Sequence, residues 1–259
     1  MGLLDGKVAI ITGSGRGIGQ GIALKFVKEG AKVVINDIDA APCNETVEMV
    51  KKIGGKAIGC VADVTNPTQV KKMVDDCVKA FGTVDILVNN AGLTRDAMIH
   101  NMDDKLLRLI ININLKGTHV CTQAVLPILQ DAKKKGEFKK IVNFASTTGI
   151  SGNVGQANYA IAKGGIVAYT KSCAREFALD RICVNSVAPG FIETRMTAVK
   201  KAGESMGIPE AIRNMAISAI PFGRGGLPED VANIILFLCS PLSDWISGEL
   251  LSIDGAAYV

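Results

Sequence analysis

Short apolar runs rich in β-branched residues alternate along the chain with longer stretches whose apolar positions recur every three or four residues. The short runs fall at 8–11, 32–36, 56–61, 86–89, 140–144, 181–187 and 251–253. Most are continuously apolar rather than alternating, as in strands buried on both faces of a parallel sheet. The longer stretches include 19–28, 68–81, 103–134 and 156–179 and are read as helices. Strand and helix in turn predict an α/β fold: a doubly wound, seven-stranded parallel sheet flanked by helices, in a single domain over 1–259. No linker, low-complexity tract or internal repeat breaks the alternation.

The segment 194–226 departs from it. It carries Gly203, Gly207, Pro209, Pro221, Gly223 and the pair Gly225-Gly226. Connections from strand to helix usually take about 2–6 residues, and long ones are mostly functional. Ligands of such sheets sit beyond the carboxyl ends of the strands. This segment follows the strand ending at Val187, so it is expected to form a helical lid over a substrate, hinged by glycines.

Composition narrows the partners. The chain has 259 residues, 48% of them hydrophobic, and a net charge of +4 with acidic and basic residues interspersed. No basic stripe marks a nucleic-acid partner. The densest basic run is Lys133-Lys134-Lys135 with Lys139-Lys140, read as a solvated helix end and loop. No apolar run approaches the roughly 18 residues of a membrane span, and the N-terminus does not read as a signal peptide. The seven cysteines are widely spaced without a C-x-x-C pair. They are expected as reduced core thiols of a cytoplasmic protein, and no metal site is expected.

Candidate chemistry begins after the first strand. Thr12-Gly13-Ser14-Gly15-Arg16-Gly17-Ile18-Gly19 opens a helix there. Glycines at such a turn let backbone approach a pyrophosphate, whose charge the helix N-terminus stabilises. Asp37 ends the second strand, 18 residues after Gly19. A carboxylate there accepts hydrogen bonds from ribose hydroxyls and repels a 2′-phosphate, which favours NAD over NADP. Arg16 pulls the other way, as a possible phosphate partner. Asp37 is given precedence, because facing a dianionic phosphate costs several kcal/mol in a partly buried site.

A second cluster lies further along. Tyr159 and Lys163 are four residues apart near the start of a helix and so share a face. To serve near neutral pH, a Tyr with its usual pKa of about 10 must come down by about three, worth about 4 kcal/mol. An ammonium about 4 Å away supplies about that much at an effective dielectric of about 20. Ser146 ends the fifth strand and faces the same crevice. Asn114 lies inside the predicted 103–134 helix, where Asn is mildly unfavourable; holding a water beside Lys163 is one reason for its presence.

Taken together, Thr12-Gly13-x-x-x-Gly17-Ile18-Gly19, Asp63-Val64, Asn89-Asn90-Ala91-Gly92, Asn114, Ser146, Tyr159-x-x-x-Lys163 and Pro189-Gly190-Phe191-Ile192-x-Thr194 resemble the short-chain dehydrogenase/reductase family across essentially the whole length. The resemblance implies a Rossmann fold and a catalytic set of Asn114, Ser146, Tyr159 and Lys163. It implies a cofactor held by Gly13, Ser14, Arg16, Gly17, Ile18, Gly19, Asp37 and Ile38. Asp63 and Val64 would hold the adenine, and Asn90, Ala91 and Gly92 would line the adenosine side. Tyr159 and Lys163 would meet the nicotinamide ribose. Pro189, Gly190, Ile192 and Thr194 would embrace the nicotinamide. It also implies a homotetramer.

Within the family the chain looks most like 3-oxoacyl-[acyl-carrier-protein] and acetoacetyl-CoA reductases, through Gly155-Gln156-Ala157-Asn158-Tyr159 and Ile220-Pro221-Phe222-Gly223-Arg224. It differs from them in Asp37, in the length of the segment before Pro221, and in Asp254-Gly255-Ala256 where Asp-Gly-Gly is familiar. The expected activity is hydride transfer between NAD(H) and a secondary alcohol or ketone, with a hydrophobic or cyclic hydroxy compound as a candidate substrate. The apolar lid residues Met196, Met206, Ile208 and Met215 suit such a substrate. A 3-oxoacyl-thioester reductase is the alternative, with Lys139, Lys140, Arg175 and Arg181 as a possible basic landing site for the carrier. A dinucleotide-binding sensor or scaffold without turnover is the reading from another class.

Overall fold

The apolar runs form seven strands: β1 (Val8–Ile11), β2 (Lys32–Asp37), β3 (Ala57–Val61), β4 (Ile86–Asn89), β5 (Lys139–Phe144), β6 (Ile182–Pro189) and β7 (Leu250–Ile253). The computed structural model describes residues 2–131, 136–200 and 207–258. Lys133-Lys134-Lys135, Gly203 and Met206 therefore lie outside the described residues. The strands pair in the order β3-β2-β1-β4-β5-β6-β7, and every pairing is parallel. β1, β4, β5 and β6 are buried at every position, and β1 and β4 accordingly read as nearly unbroken apolar runs. The edge strand β3 is largely open.

Helices cover both faces. On one lie α1 (Gly17–Lys28), α2 (Ala40–Lys52) and α9 (Pro228–Cys239), which bury Phe26, Val50 and Ile235 against the sheet. On the other lie α3 (Pro67–Phe81), α5 (Gly117–Asp131) and α7 (Ala157–Glu176), which bury Met73, Val125 and Cys173. The strand order reverses between β1 and β4. The loops that follow these two strands diverge and open a crevice. All seven cysteines are buried and free. Among the described residues no helix is long and apolar enough to cross a membrane.

The predicted helix over 103–134 is not continuous. It divides into α4 (Asp104–Ile111), a π-helical turn (Asn112–Lys116) and α5. Asn114 sits in that turn, fully buried, with its Nδ2 donating to the Ile110 carbonyl at 2.9 Å. An amide that bonds the preceding turn competes with the helix ladder, and π-turns are frequent at functional sites.

The chain leaves the sheet after Glu193 and rejoins it at Gly226 through a closed neck. Glu193 N donates to Gly226 O at 2.7 Å, and Gly226 N to Phe191 O at 2.9 Å. Beyond it lie a short parallel bridge (Val199 with Ile208) and α8 (Glu210–Ser218). Met215 is exposed on α8.

The Asp254-Gly255-Ala256 variation carries a conformational cost. Ala256 has φ of 67°, in the left-handed region, with its N–H on Asp254 Oδ1 at 3.0 Å. An L-residue there costs about 1 kcal/mol relative to glycine. Ala256→Gly is therefore expected to raise Tm by roughly 2–4 °C in thermal denaturation. An unchanged or lower Tm contradicts this account.

Candidate active site

Thr12 builds the crevice at its floor. Its hydroxyl donates to Val88 O at 3.3 Å and accepts from the backbone N–H groups of Asn90 and Ala91, both at 3.0 Å. Asn90 answers by donating from Nδ2 to the carbonyls of Thr12 and Gly13, at 2.8 and 2.9 Å. These bonds lock the turn after β1 against the loop after β4. Gly13 has φ of 61°, and a Cβ there would stand 2.8 Å from the Ala91 Cα, so only glycine fits.

A cleft of about 550 Å³ runs along the carboxyl ends of the strands. Gly13, Arg16, Gly17, Ile18, Asp37, Ile38, Asp63 and Val64 line it beyond β1, β2 and β3; Asn90, Ala91 and Gly92 line it beyond β4. Ser146, Tyr159 and Lys163 meet Pro189, Gly190, Ile192 and Thr194 at the other end.

Two residues expected on the cofactor lie behind the cleft instead. Ser14 spends its hydroxyl inward, donating to Ile11 O at 2.7 Å and accepting from Asn36 N at 3.1 Å. Gly19 is a packing contact: a Cβ there would sit 2.5 Å from Gly13 O. Asn114 also stays behind the wall. Its Oδ1 accepts from Leu93 N at 3.3 Å, and its Nδ2 donates to Leu93 O at 2.9 Å. It thereby shapes the loop that carries Gly92.

At the first end, Asp37 is nearly buried. Its Oδ2 accepts from Gly15 N at 3.2 Å and its Oδ1 from Asp39 N at 3.1 Å. Arg16 is drawn to Asp39 rather than free to meet a phosphate: Nη2 to Oδ2 is 2.8 Å. Asn36, which no sequence signal marked, braces this end with its Nδ2 on Cys60 O and Ala62 O.

At the other end, Tyr159 and Ser146 line the cleft together. Lys163 is buried and donates to Phe144 O at 2.6 Å; its Nζ lies 5.5 Å from the centre of the Tyr159 ring. Burial pushes the Tyr159 phenol up to about 12, the Ser146 hydroxyl works against that, and the Asp96 carboxylate adds to it. Burial brings Lys163 down to about 7. The expected lowering of the phenol by its neighbouring ammonium therefore needs correction. Desolvation dominates both groups, and the ammonium is directed at a carbonyl.

Part of the expected lid reaches the cleft. Arg195, Met196 and Thr197 line it; Ile208 and Met215 do not. The basic landing site is overturned in part, because Lys139 and Lys140 are buried and ion-paired, to Asp85 and Asp244 respectively. Sequence reasoning also missed how Gln156 and Asn158 grip the loop after β4. Gln156 Nε2 donates to both Asp96 oxygens at 3.1 Å, and Asn158 Nδ2 to Arg95 O at 3.0 Å. The run Gly155-Gln156-Ala157-Asn158-Tyr159 held these residues, but not their partners 60-odd positions earlier.

The glycine-lined cleft, with the Asp37 carboxylate and the Tyr159 phenol both in its lining, suits a nicotinamide dinucleotide in donor chemistry. Comparisons with known proteins agree. A family model described as enoyl-(acyl carrier protein) reductase matches residues 13–256. The chain is 43% identical over 256 residues to the 3-oxoacyl-[acyl-carrier-protein] reductase FabG of Thermotoga maritima, covering 99% of each. It is 40% identical over 252 residues to the (2S)-[(R)-hydroxy(phenyl)methyl]succinyl-CoA dehydrogenase subunit BbsD of Thauera aromatica, covering 97% of this chain and 96% of that one. A solved short-chain dehydrogenase/reductase from Burkholderia xenovorans superposes with a TM-score of 0.89 at 33% identity, covering 99% and 98% of the two chains. With its parallel seven-stranded sheet and with Ser146, Tyr159 and Lys163 lining a glycine-edged cleft, the chain belongs to the short-chain dehydrogenase/reductase family and is an NAD(P)-dependent oxidoreductase acting on CH–OH groups.

Proposed function

We propose that the chain interconverts a 3-oxoacyl and a 3-hydroxyacyl thioester, with NAD(H) preferred over NADP(H), as one unit carrying both the cofactor cleft and the reacting phenol. The observation that carries it is the meeting of Ser146, Tyr159 and Lys163 in one cleft with the Gly13 turn and Asp37. A phenol held protonated at neutral pH is in the form that gives a proton to a carbonyl oxygen under reduction. Thioesters of both carrier types are named in the relatives: an acyl carrier protein in one, CoA in the other. This narrows the broader expectation of a hydrophobic or cyclic alcohol.

The nicotinamide cofactor supplies the hydride when bound; the chain supplies position and charge. Asp37 accepts from the adenosine ribose hydroxyls, and the backbone of Gly13 to Gly17 accommodates the pyrophosphate. Val64 and Ala91 pack on the adenine side, and Ile192 and Thr194 face the nicotinamide. Lys163 holds the ribose hydroxyls near Tyr159. Ser146 orients the substrate oxygen, Tyr159 hands over its proton, and Asn114 keeps the Gly92 loop beside Lys163. Arg195, Met196 and Thr197 act as the inner edge of the substrate lid.

Asp37 supports the NAD preference, and the Arg16–Asp39 pair strengthens it by neutralising the nearest cation. Initial rates with acetoacetyl-CoA, crotonyl-CoA and cyclohexanol, each with NAD(H) and NADP(H), test the proposal. The expected result is the highest kcat/KM for acetoacetyl-CoA with NADH. Asp37→Ala should improve NADPH relative to NADH by about tenfold or more, since a charge–charge repulsion is removed. A wild-type preference for NADPH refutes the cofactor assignment. Faster turnover of crotonyl-CoA or cyclohexanol refutes the substrate class. An absence of turnover on all three favours the sensor reading.

A further inference from the structure

The segment before α7 is tied to the loop after β4 by more bonds than a helix start requires. Gln156 Oε1 accepts from Thr148 Oγ1 at 3.2 Å and from Asn153 Nδ2 at 3.1 Å. With two donors on its oxygen, the amide is oriented so that Nε2 must donate, and it does so to both oxygens of Asp96. Thr148 in turn donates its N–H to Ser146 Oγ at 3.2 Å. Alongside, Ala97 N donates to Gly155 O at 2.8 Å, and Asn158 bridges Arg95 O to the Tyr159 N–H. α7 has no acidic residue in its own first turn, so the positive end of its dipole takes its nearby carboxylate from another loop.

We propose that Asp96 is a positioning residue that, through Gln156, fixes the Ser146 turn and the first turn of α7 against the loop after β4. It touches none of the reacting atoms. It sets the geometry in which the Ser146 and Tyr159 hydroxyls meet, and its negative charge favours the protonated phenol. The charged or titratable groups around Tyr159 are Lys163 from α7, Asp96 from the β4 loop and Arg195 from the lid side of the same cleft. Of these, only Asp96 opposes loss of the phenol proton by its sign. The inference rests on Tyr159 as the proton donor.

The test compares Asp96→Ala and Asp96→Asn in the full chain, with acetoacetyl-CoA and NADH as probes from pH 6 to 12. Asp96→Ala removes both the bonds and the charge, and kcat is expected to fall about tenfold with the KM for NADH unchanged. Asp96→Asn keeps an acceptor for Gln156 and is expected to recover kcat to within about threefold. It should also move the basic limb of kcat/KM down by about half a pH unit, as loss of an exposed like-sign neighbour requires. Independently of turnover, hydrogen exchange at the Ala97 and Thr148 amides should quicken about tenfold in Asp96→Ala and stay near wild type in Asp96→Asn.

Wild-type kcat in Asp96→Ala, or a pH profile of Asp96→Asn that overlays wild type, overturns the proposal. Equal losses of kcat in both variants with an unmoved limb mark a merely structural residue and also overturn it. If Tyr159→Phe is active, the proton-donor reading itself fails. If Tyr159→Phe is inactive while both Asp96 variants behave as wild type, only the role of Asp96 fails.

Discussion

Tyr159→Phe is expected to lower kcat by about 10²–10⁴-fold, the usual contribution of a positioned general acid. The ring keeps its packing, so the cleft should persist. What is lost is one hydroxyl, in the cleft that Ser146 also lines. Phenylalanine leaves Ser146 in place, but Ser146 has no proton of suitable acidity to replace it. NADH binding, followed by fluorescence titration, should change by less than about twofold, because a uniformly bound cofactor does not sense a group used only in the transition state. A kcat within tenfold of wild type would sink the assignment. Loss of NADH binding together with kcat would instead place Tyr159 in the architecture of the cleft.

The second large effect is on stability, at the opposite end of the sheet. Asp85→Ala is expected to destabilise the protein by about 3–5 kcal/mol, as removal of one partner of a buried ion pair does. Asp85 and Lys139 are both nearly inaccessible and pair with each other. Asp85 Oδ2 also accepts from Val8 N at 2.8 Å, so one carboxylate joins the first residues of β1 and β5 across β4. Alanine leaves the ammonium in a dry site with only the half-exposed Glu137, 3.3 Å away, as an acidic partner among those described. For a chain of this size Tm should drop by roughly 6–20 °C. The double substitution Asp85→Leu with Lys139→Met should recover most of the loss, because no charge remains to be desolvated. Because the pair lies away from the cleft, kcat at low temperature should stay at its wild-type value in both. A Tm within about 2 °C of wild type for Asp85→Ala would show that water reaches Lys139 and that the pair is not truly buried.

The two ends of the sheet also show how legible the chain was. Strands β1 and β4 could be read as nearly continuous apolar runs because both of their faces are covered. The Lys139-Lys140 pair defeated the same reasoning. Two adjacent lysines look solvated, yet in a strand their side chains point to opposite faces. Each found a carboxylate there, Asp85 for one and Asp244 for the other. The predicted fourth helix failed at Asn114 because periodicity cannot register an amide that turns inward to bond Leu93.

By itself, the sequence determined the layered fold, the glycine turn after β1, the carboxylate at the end of β2, and the shared helix face of Tyr159 and Lys163. These follow from local spacing, since the periods of helix and strand convert residue number directly into direction. Only the tertiary structure decided the protonation balance and the second ring of contacts. Tyr159 rises and Lys163 falls because folding withdraws both from water, an effect that no spacing encodes. Ser14 and Gly19 turned away from the cleft, and Asp96 turned toward Gln156, because loops far apart in sequence were brought into register there. Local geometry is written in neighbours; burial and long-range partners exist only once the sheet has brought distant segments together.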